Sequence, residues 1–434
     1  ISLDQVYDEL DIHFSFDKRL YSESDVTPEL IDRLQTLCTA KYNAPTYPVE
    51  EFRQTILHEM KTEIHTMAEL NDDFIGCIHR QLTDRHMLYT KEFTSDGCLA
   101  QDTFSGVLKV TVLVFNVLLD NTQYTLTVSG HPVGHGVIAP NFNLMDTVKT
   151  AAGNAGASNA AGSADNSCDA ESAPASAVAT AGSSDVSGAG SAAAAGDSST
   201  TGSSSAGNTV TASTRFKRLE LHNHTVESDG SLTCQELTEY LAADHVDAFA
   251  ITDHNTTSGQ KKIEQLLEEK HYPISLIRGM EYTTYFGHIL CLNLAKYVPW
   301  NSIDQHRPEL LFEATRKKGA LVGIAHPFSY GDPFARGCRF EMTISDYSKV
   351  DFIEIFNNPE PLHEVNERGT NLWMSLIFSG YQITATSGMD LHNRAKLAGC
   401  YATYIEGKNG GNIASELDTA IHTHRTWVSK GALL

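Results

Sequence analysis

The hydrophobic pattern of the first 150 residues predicts a helical part followed by strands. Thr27-Pro28-Glu29 is a helix-start signal, with a hydroxyl that can cap the helix and a proline in its first turn. A set of apolar residues then recurs every three or four positions, as on the buried face of one long helix: Phe52, Ile56, Met60, Ile64 and Met67. Val107–Leu119 is β-rich, and Tyr124–Val128 alternates after Asn121, which predicts a β-hairpin. We therefore predict a small α+β region of unknown function over residues 1–150.

Residues 215–434 alternate between apolar runs and amphipathic segments. Strands are predicted at 219–222, 246–252, 274–278, 287–294, 320–325, 351–356 and 382–387. Helices are predicted after the capping box that begins at Thr233 and at 257–270, 308–318 and 363–379. This alternation is typical of parallel strands joined by helical crossovers, and about 220 residues suit a (β/α) barrel.

The segment 151–214 separates these two parts. It consists almost entirely of Ala, Gly, Ser, Thr, Asn and Asp, and it contains no aromatic residue, Leu, Ile, Lys or Arg. Such a composition buries too little apolar surface to offset the entropy of ordering the chain. We predict a flexible linker or disordered insertion whose deletion leaves the following part of the chain folded and functional.

Charge and cysteine content restrict the class of protein. Lys plus Arg number 32 against 54 Asp plus Glu, a net charge of −22, which argues against an extended nucleic-acid surface. No run of about 18 apolar residues predicts a membrane span. The eight cysteines form no CxxC pair, so free thiols and a cytoplasmic location are expected. No signal peptide is visible, and the sequence gives no oligomeric state.

Nearly all of the residues able to bind metal lie at or after the carboxyl ends of the predicted strands, whereas His288 opens the extended run 287–294. These residues are His222, His224, Asp229, Asp253, His254, Glu281, His288, His326, Asp390 and His392. Active sites of α/β barrels lie at the carboxyl ends of the strands, so these side chains are expected to converge. Buried histidines satisfied by hydrogen bonds are the alternative, but they would not recur at one structural position.

Histidine and carboxylate donors without cysteine suit divalent Zn, Mn or Fe, and closely spaced ions suit hydrolysis. Other histidines lack this context. His422 and His424 follow a helical segment with no strand before them, and His131 and His135 lie in the first half. We interpret these four as surface or packing residues.

The motifs resemble the PHP (polymerase and histidinol phosphatase) superfamily in order and spacing. They are His222-Asn-His224, Ser228-Asp229-Gly230, Ile251-Thr-Asp253-His254-Asn255, Gly287-His288, Ala325-His326-Pro327 and Ser387-Gly-Met-Asp390-Leu-His392. The run from Glu281 to His288 resembles the subgroup of CehA/McbA-type metallohydrolases. The resemblance covers about the last half of the chain.

The resemblance implies a distorted (β/α)7 barrel with a trinuclear metal centre. One ion would be held by His222, His224, Glu281 and Asp390, and a second by Asp229, His254 and His392. A third would share Glu281 as a bridge with His288 and His326. Asp253 would orient a ligand rather than bind metal.

We therefore expect a metal-dependent hydrolase with two or three divalent ions. A phosphoesterase is favoured, acting through a metal-bound hydroxide on a small phosphorylated molecule or a nucleotide or short oligonucleotide end. Glu281 and Asp253 would serve the reaction, and Arg336 or Arg394 would add positive charge, although either arginine could lie on the surface. One alternative is hydrolysis of carboxyl or carbamate esters, and another is a non-catalytic scaffold.

Overall fold

The computed structural model describes residues 1–80, 82–133, 142–144 (backbone), 214–300, 307–357 and 363–430. The described residues all belong to one compact unit. The predicted linker, apart from Thr214, and His135 lie outside the described residues.

The N-terminal part is an antiparallel sheet with two helices. Its elements are β1 (Ser2–Phe16), α1 (Pro28–Tyr42), α2 (Val49–Glu59), β2 (Glu63–Leu70), β3 (Asp73–Ile78), β4 (Asp84–Tyr89), β5 (Phe104–Asn116), β6 (Tyr124–Pro132) and β7 (Phe142–Leu144). The strand order is β3-β2-β5-β1-β6-β7, and β4 also pairs with β1. The sheet core includes Tyr7, Leu10, Ile12, Phe104 and Leu108.

The predicted start of α1 is confirmed, but the prediction of one long helix from Phe52 to Met67 is wrong. Thr27 caps α1 by accepting a hydrogen bond from the backbone N–H of Leu30 at 3.3 Å. The helix α2 ends at Glu59, and Ile64 and Met67 belong to β2. Nearly every residue of β2 is buried, so the strand shows no alternation that would have distinguished it from a helix.

The predicted hairpin between β5 and β6 is also wrong. The strand β1 lies between them, with Ser2 opposite Val107 and Ile12 opposite Val128. Consecutive strands can form a hairpin only if no other strand inserts. Here the inserted strand comes from the start of the chain, about 100 residues away.

The C-terminal part is a nearly closed, barrel-shaped sheet with helices. Its elements are β8 (Thr214–Glu220), α3 (Cys234–Ala243), β9 (Ala248–Ile251), α4 (Ser258–Lys270), β10 (Ser275–Thr284), β11 (Gly287–Leu292), α5 (Glu309–Arg316), β12 (Leu321–Ile324), β13 (Phe352–Asn357), α6 (Glu364–Phe378), β14 (Thr384–Gly388), β15 (Tyr401–Lys408), α7 (Ile413–His422) and β16 (Thr426–Lys430). The order is β14-β13-β12-β11-β10-β9-β8-β15-β16. The sheet nearly closes where the Ser387 N–H of β14 donates to Thr403 Oγ1 of β15 at 2.8 Å.

The barrel is only partly parallel. Strands β8, β9 and β10 run parallel, as do β12, β13 and β14. The pairs β10–β11, β11–β12, β8–β15 and β15–β16 are antiparallel. The mixed α/β class is therefore confirmed, whereas the count of seven strand–helix units is not. The capping box of α3 is confirmed, with Thr233 and Glu236 bonded in both directions.

The N-terminal part contacts loops that carry predicted metal ligands. The Gly97 N–H donates to Glu227 Oε2 at 3.0 Å, and Thr256 Oγ1 donates to the Gly97 carbonyl at 2.8 Å. The Phe74 ring stacks on Tyr297, with centroids 4.0 Å apart. Gly97 has φ +80°, and a Cβ there would lie 2.3 Å from the Cys77 carbonyl oxygen. Glycine therefore permits this close approach.

Two further expectations concern thiols and membranes. The seven cysteines in the described ranges form no disulfide bond, and six of them are buried. In the part of the chain that the structure describes, the helices are too short or too polar to cross a membrane.

Candidate metal centre

The predicted ligands converge at one end of the barrel. His222 and His224 follow β8, His254 follows β9, His326 follows β12, and Asp390 and His392 follow β14. Residues 223 and 391 form a parallel bridge, as do residues 254 and 281. These bridges bring together segments that are far apart in sequence.

Glu281 departs from its expected position after a strand, whereas His288 lies at the start of a strand, as expected. Glu281 lies within β10, which continues to Thr284, and His288 lies within the antiparallel β11. Thr283 pairs with His288 across this hairpin. The two ligands therefore reach the centre from the walls of the barrel.

Glu281 is the hub of the cluster. Its side chain is fully buried. Its Oε2 lies 3.2 Å from His222 Nε2, 3.5 Å from His224 Nε2 and 2.9 Å from His254 Nδ1. Its Oε1 lies 3.0 Å from both His288 Nδ1 and His326 Nε2. The two oxygens thus face different histidines, as a bridging carboxylate requires.

Two aspartates organise the remaining donors. Asp390 Oδ1 lies 2.9 Å from His224 Nε2 and 3.4 Å from His222 Nε2. Asp229 Oδ1 lies 3.3 Å from His392 Nε2 and 3.6 Å from His254 Nε2. Every one of the nine predicted ligands therefore contacts a carboxylate or imidazole partner in the cluster.

Three ligand groups have donor atoms that all lie within 4.8 Å of one another. They are His222, His224, Glu281 and Asp390; His224, Asp229, His254 and His392; and His254, Glu281 and His288. The first matches the set that the resemblance implies. The second adds His224, and the third has His254 where His326 was expected.

Several donor atoms in the centre are buried without a well-directed hydrogen bond. They are His222 Nε2, both ring nitrogens of His224, Asp229 Oδ1, Glu281 Oε2, His288 Nε2 and Asp390 Oδ1. An unsatisfied buried polar atom costs about 1–3 kcal/mol. Convergence of these atoms fits divalent ions bound by nitrogen and oxygen donors.

Burial and neighbouring charges strongly shift the pKa values of the histidines in the cluster. Burial alone would lower the pKa of His392, but Asp229 and Asp390 raise it to about 10. Burial, together with the neighbouring His254 and His392, lowers the pKa of His224 to about 3. Neutral imidazole is the form that binds metal.

Other side chains position the ligands. The Nδ1 atom of His222 lies 3.1 Å from Glu354 Oε1, and the His326 N–H donates to Glu354 Oε2 at 3.0 Å. Asp253 accepts hydrogen bonds from the Thr225 N–H at 2.7 Å and Ser228 Oγ at 2.6 Å. Glu354 and Asp253 therefore fix the segments on which the ligands lie, which is how such partners support metal sites.

Glu354 was not identified as a functional residue from the sequence. It lies in β13 between apolar residues and is only 2% exposed. A carboxylate within an apolar strand needs a partner, since burying a charge alone is costly. A single carboxylate within an apolar strand was therefore the sequence signal that could have indicated this role.

The two arginines have different surroundings. Arg336 pairs with Asp332 at 3.1 Å and lies over the Tyr285 ring, 4.5 Å from its centroid. The next two residues approach the ligands, because His326 Nδ1 lies 3.1 Å from the Cys338 carbonyl oxygen. Arg394 is exposed and lies over Tyr240, 5.7 Å from the ring centroid.

The remaining histidines have other contacts. His424 Nδ1 lies 2.8 Å from Thr384 Oγ1, and His422 is half-exposed beside Asp418. His424 also lines an open cavity of about 820 Å³ with Trp373 and Trp427, and none of the nine ligands lines it. His131 pairs with Asp8 at 2.8 Å.

Known proteins match only part of the chain. Residues 1–132 match a family model described as "Family of unknown function (DUF6669)". The 5'-3' exoribonuclease Rnm of Escherichia coli is 34% identical over 79 residues, which are 17% of this chain. The chain spans 27% of that relative's length.

Two solved structures show distant likeness. A two-domain protein from Bacteroides vulgatus, containing a predicted PHP-like metal-dependent phosphoesterase, is 17% identical with a TM-score of 0.40. That match covers 50% of this chain and 66% of the other. An amidohydrolase from Chromobacterium violaceum is 16% identical with a TM-score of 0.31, covering 41% and 88%. Likenesses at these scores are too distant to assign a function.

Proposed function

We propose that this chain is a metal-dependent hydrolase of phosphate esters. The observation that carries the proposal is the set of buried, unsatisfied donor atoms around Glu281. A scaffold protein would gain stability by replacing such atoms with apolar groups. Their concentration at one end of a barrel favours a catalytic centre over a structural one.

The nine ligands would hold two or three divalent ions of Zn, Mn or Fe. Such ions lower the pKa of coordinated water and neutralise charge on the oxygens of a substrate. Glu281 would hold two sets of histidines at a fixed separation through its two oxygens. Glu354 and Asp253 would keep the ligand segments in place.

The substrate would be a small phosphorylated molecule or a nucleotide end. The relative named as a 5'-3' exoribonuclease supports a nucleotide end, whereas the net charge of −22 disfavours extended contact with nucleic acid. Arg336 is the better placed of the two arginines to bind phosphate, since Gly337 and Cys338 beside it approach His288 and His326.

The choice between ester classes can be tested with nitrophenyl substrates. We expect metal-dependent turnover of p-nitrophenyl phosphate or bis(p-nitrophenyl) phosphate, and no metal-dependent turnover of p-nitrophenyl acetate. Release of mononucleotides from a short 5'-phosphorylated oligonucleotide would identify a nucleotide end as the substrate. Chelated protein is the control for each reaction. Metal-dependent acetate hydrolysis without phosphoester hydrolysis would replace this proposal with the carboxyl-ester alternative.

A further inference from the structure

A second histidine–carboxylate cluster lies on the N-terminal sheet. Glu63 and His65 are two residues apart on β2, so their side chains share one face of the strand. Thr66 pairs with Ile78 in β3, and continuing that register places His79 opposite His65. The antiparallel pairing therefore brings three potential ligands together.

The donor atoms of this cluster are close enough to share an ion. Ligand atoms of Glu63, His65 and His79 all lie within 4.8 Å of one another. Glu63 Oε1 is 3.2 Å from His65 Nε2, and the two imidazole centroids are 3.9 Å apart. These separations suit nitrogen and oxygen ligands bound to one ion at about 2.0–2.2 Å.

The two histidines are buried without well-directed hydrogen bonds. His65 is 0% exposed, and neither of its ring nitrogens has a hydrogen-bond partner. His79 is 4% exposed, and its Nδ1 has none. Buried imidazoles normally satisfy at least one nitrogen, so a ligand outside the protein chain would explain His65, and the same ligand could use the unpartnered Nδ1 of His79.

The cluster adjoins the metal centre through Asp229. His79 Nε2 lies 3.4 Å from Asp229 Oδ2, and the His79 ring stacks on His254 with centroids 4.1 Å apart. The other oxygen of Asp229 faces His254 and His392. Asp229 can therefore share its two oxygens between neighbouring cation sites.

The positive charge of Arg85 opposes the binding of a cation at this cluster. The Arg85 guanidinium is buried beside His65, where it donates to the Ile64 carbonyl at 2.5 Å and lies over Phe14. Glu63 and Asp229 supply two negative charges against it. A contrasting trio on the same sheet, His13, Asp84 and His86, is more exposed, and its histidines form hydrogen bonds with Asp84 and Asp11.

We propose that Glu63, His65 and His79 hold an additional divalent ion, with Asp229 as a shared ligand. The donor set favours Zn, Mn or Fe. The N-terminal sheet would thereby extend the metal cluster of the barrel. This proposal concerns ion binding and does not depend on which ester the protein hydrolyses.

Ion stoichiometry tests this site without an activity assay. Full-length protein is stripped with a chelator, reloaded with Zn²⁺, desalted and measured by elemental analysis. Glu63→Gln is expected to bind one ion fewer per chain than the unmodified protein, and His65→Ala the same. His86→Ala, from the exposed trio, is the matched control and should bind as many ions per chain as the unmodified protein.

The variants separate this proposal from the proposed function. Glu63 lies outside the nine barrel ligands, so its substitution should leave their ions in place, whereas His224→Ala should remove ions from the barrel. Circular dichroism checks folding, and if His65→Ala unfolds, the conservative Glu63→Gln decides. An unchanged ion count in folded Glu63→Gln would overturn the site, even if phosphoester hydrolysis is confirmed.

Discussion

Replacing Glu281 by Gln is expected to lower kcat by about 10²–10³, and by more if an ion is lost. Five imidazoles surround this carboxylate, and its two oxygens face separate groups of them. Burial alone would raise its pKa, but His222, His288 and His254 hold the pKa well below its usual value. A neutral amide would keep the shape but remove the charge that allows cations to lie close together.

The measurement combines metal content with turnover of a phosphate ester. His424→Ala is the control, since His424 contacts Thr384 and lies outside the nine ligands. The control should change neither quantity. The assignment of Glu281 as the hub is wrong if Glu281→Gln keeps its full metal content and near-normal turnover.

Metal-free protein is expected to lose thermal stability as pH rises from about 7 towards 10. Burial alone would lower the pKa of His392, but Asp229 and Asp390 raise it from 6.5 to about 10. Because the folded-state pKa exceeds the unfolded value, the stabilisation is fully present below pH 6.5 and is lost as pH rises through the folded-state pKa. Bound metal would replace the proton and remove this dependence.

Melting temperatures of chelated and Zn-loaded protein at pH 6, 8 and 10 test this expectation. Chelated His392→Ala is the control for other groups that titrate over the same range, and its melting temperature should fall less steeply. An equal fall in chelated His392→Ala and chelated unmodified protein would show that His392 is not responsible.

Local signals in the sequence predicted several elements of both parts of the chain. Thr27 and Thr233 mark helix starts that the structure confirms, because capping depends on neighbouring residues. Ligands that follow buried strands were also found, since the ends of parallel strands converge whatever the intervening sequence. The whole set of nine required the motif resemblance in addition, and metal binding by these residues stays a prediction.

Long-range pairing could not be predicted in the same way. The strand β1 has alternating Leu10, Ile12, Phe14 and Phe16, a β signal that was present, but nothing local indicates that it separates β5 from β6. The significance of His65 and His79 likewise comes only from folding, which places their rings 3.9 Å apart and brings His79 to Asp229, 150 residues further along the chain. Their approach depends on how the N-terminal sheet packs on the barrel.

The most direct test is the metal content of protein purified without chelator or acid, measured by elemental analysis and located by anomalous diffraction. The barrel ligands predict two or three transition-metal ions per chain among His222, Glu281 and Asp390 and their neighbours, with the ion at Glu63 counted separately. Absence of anomalous density around Glu281 in such protein would contradict the proposed metal centre.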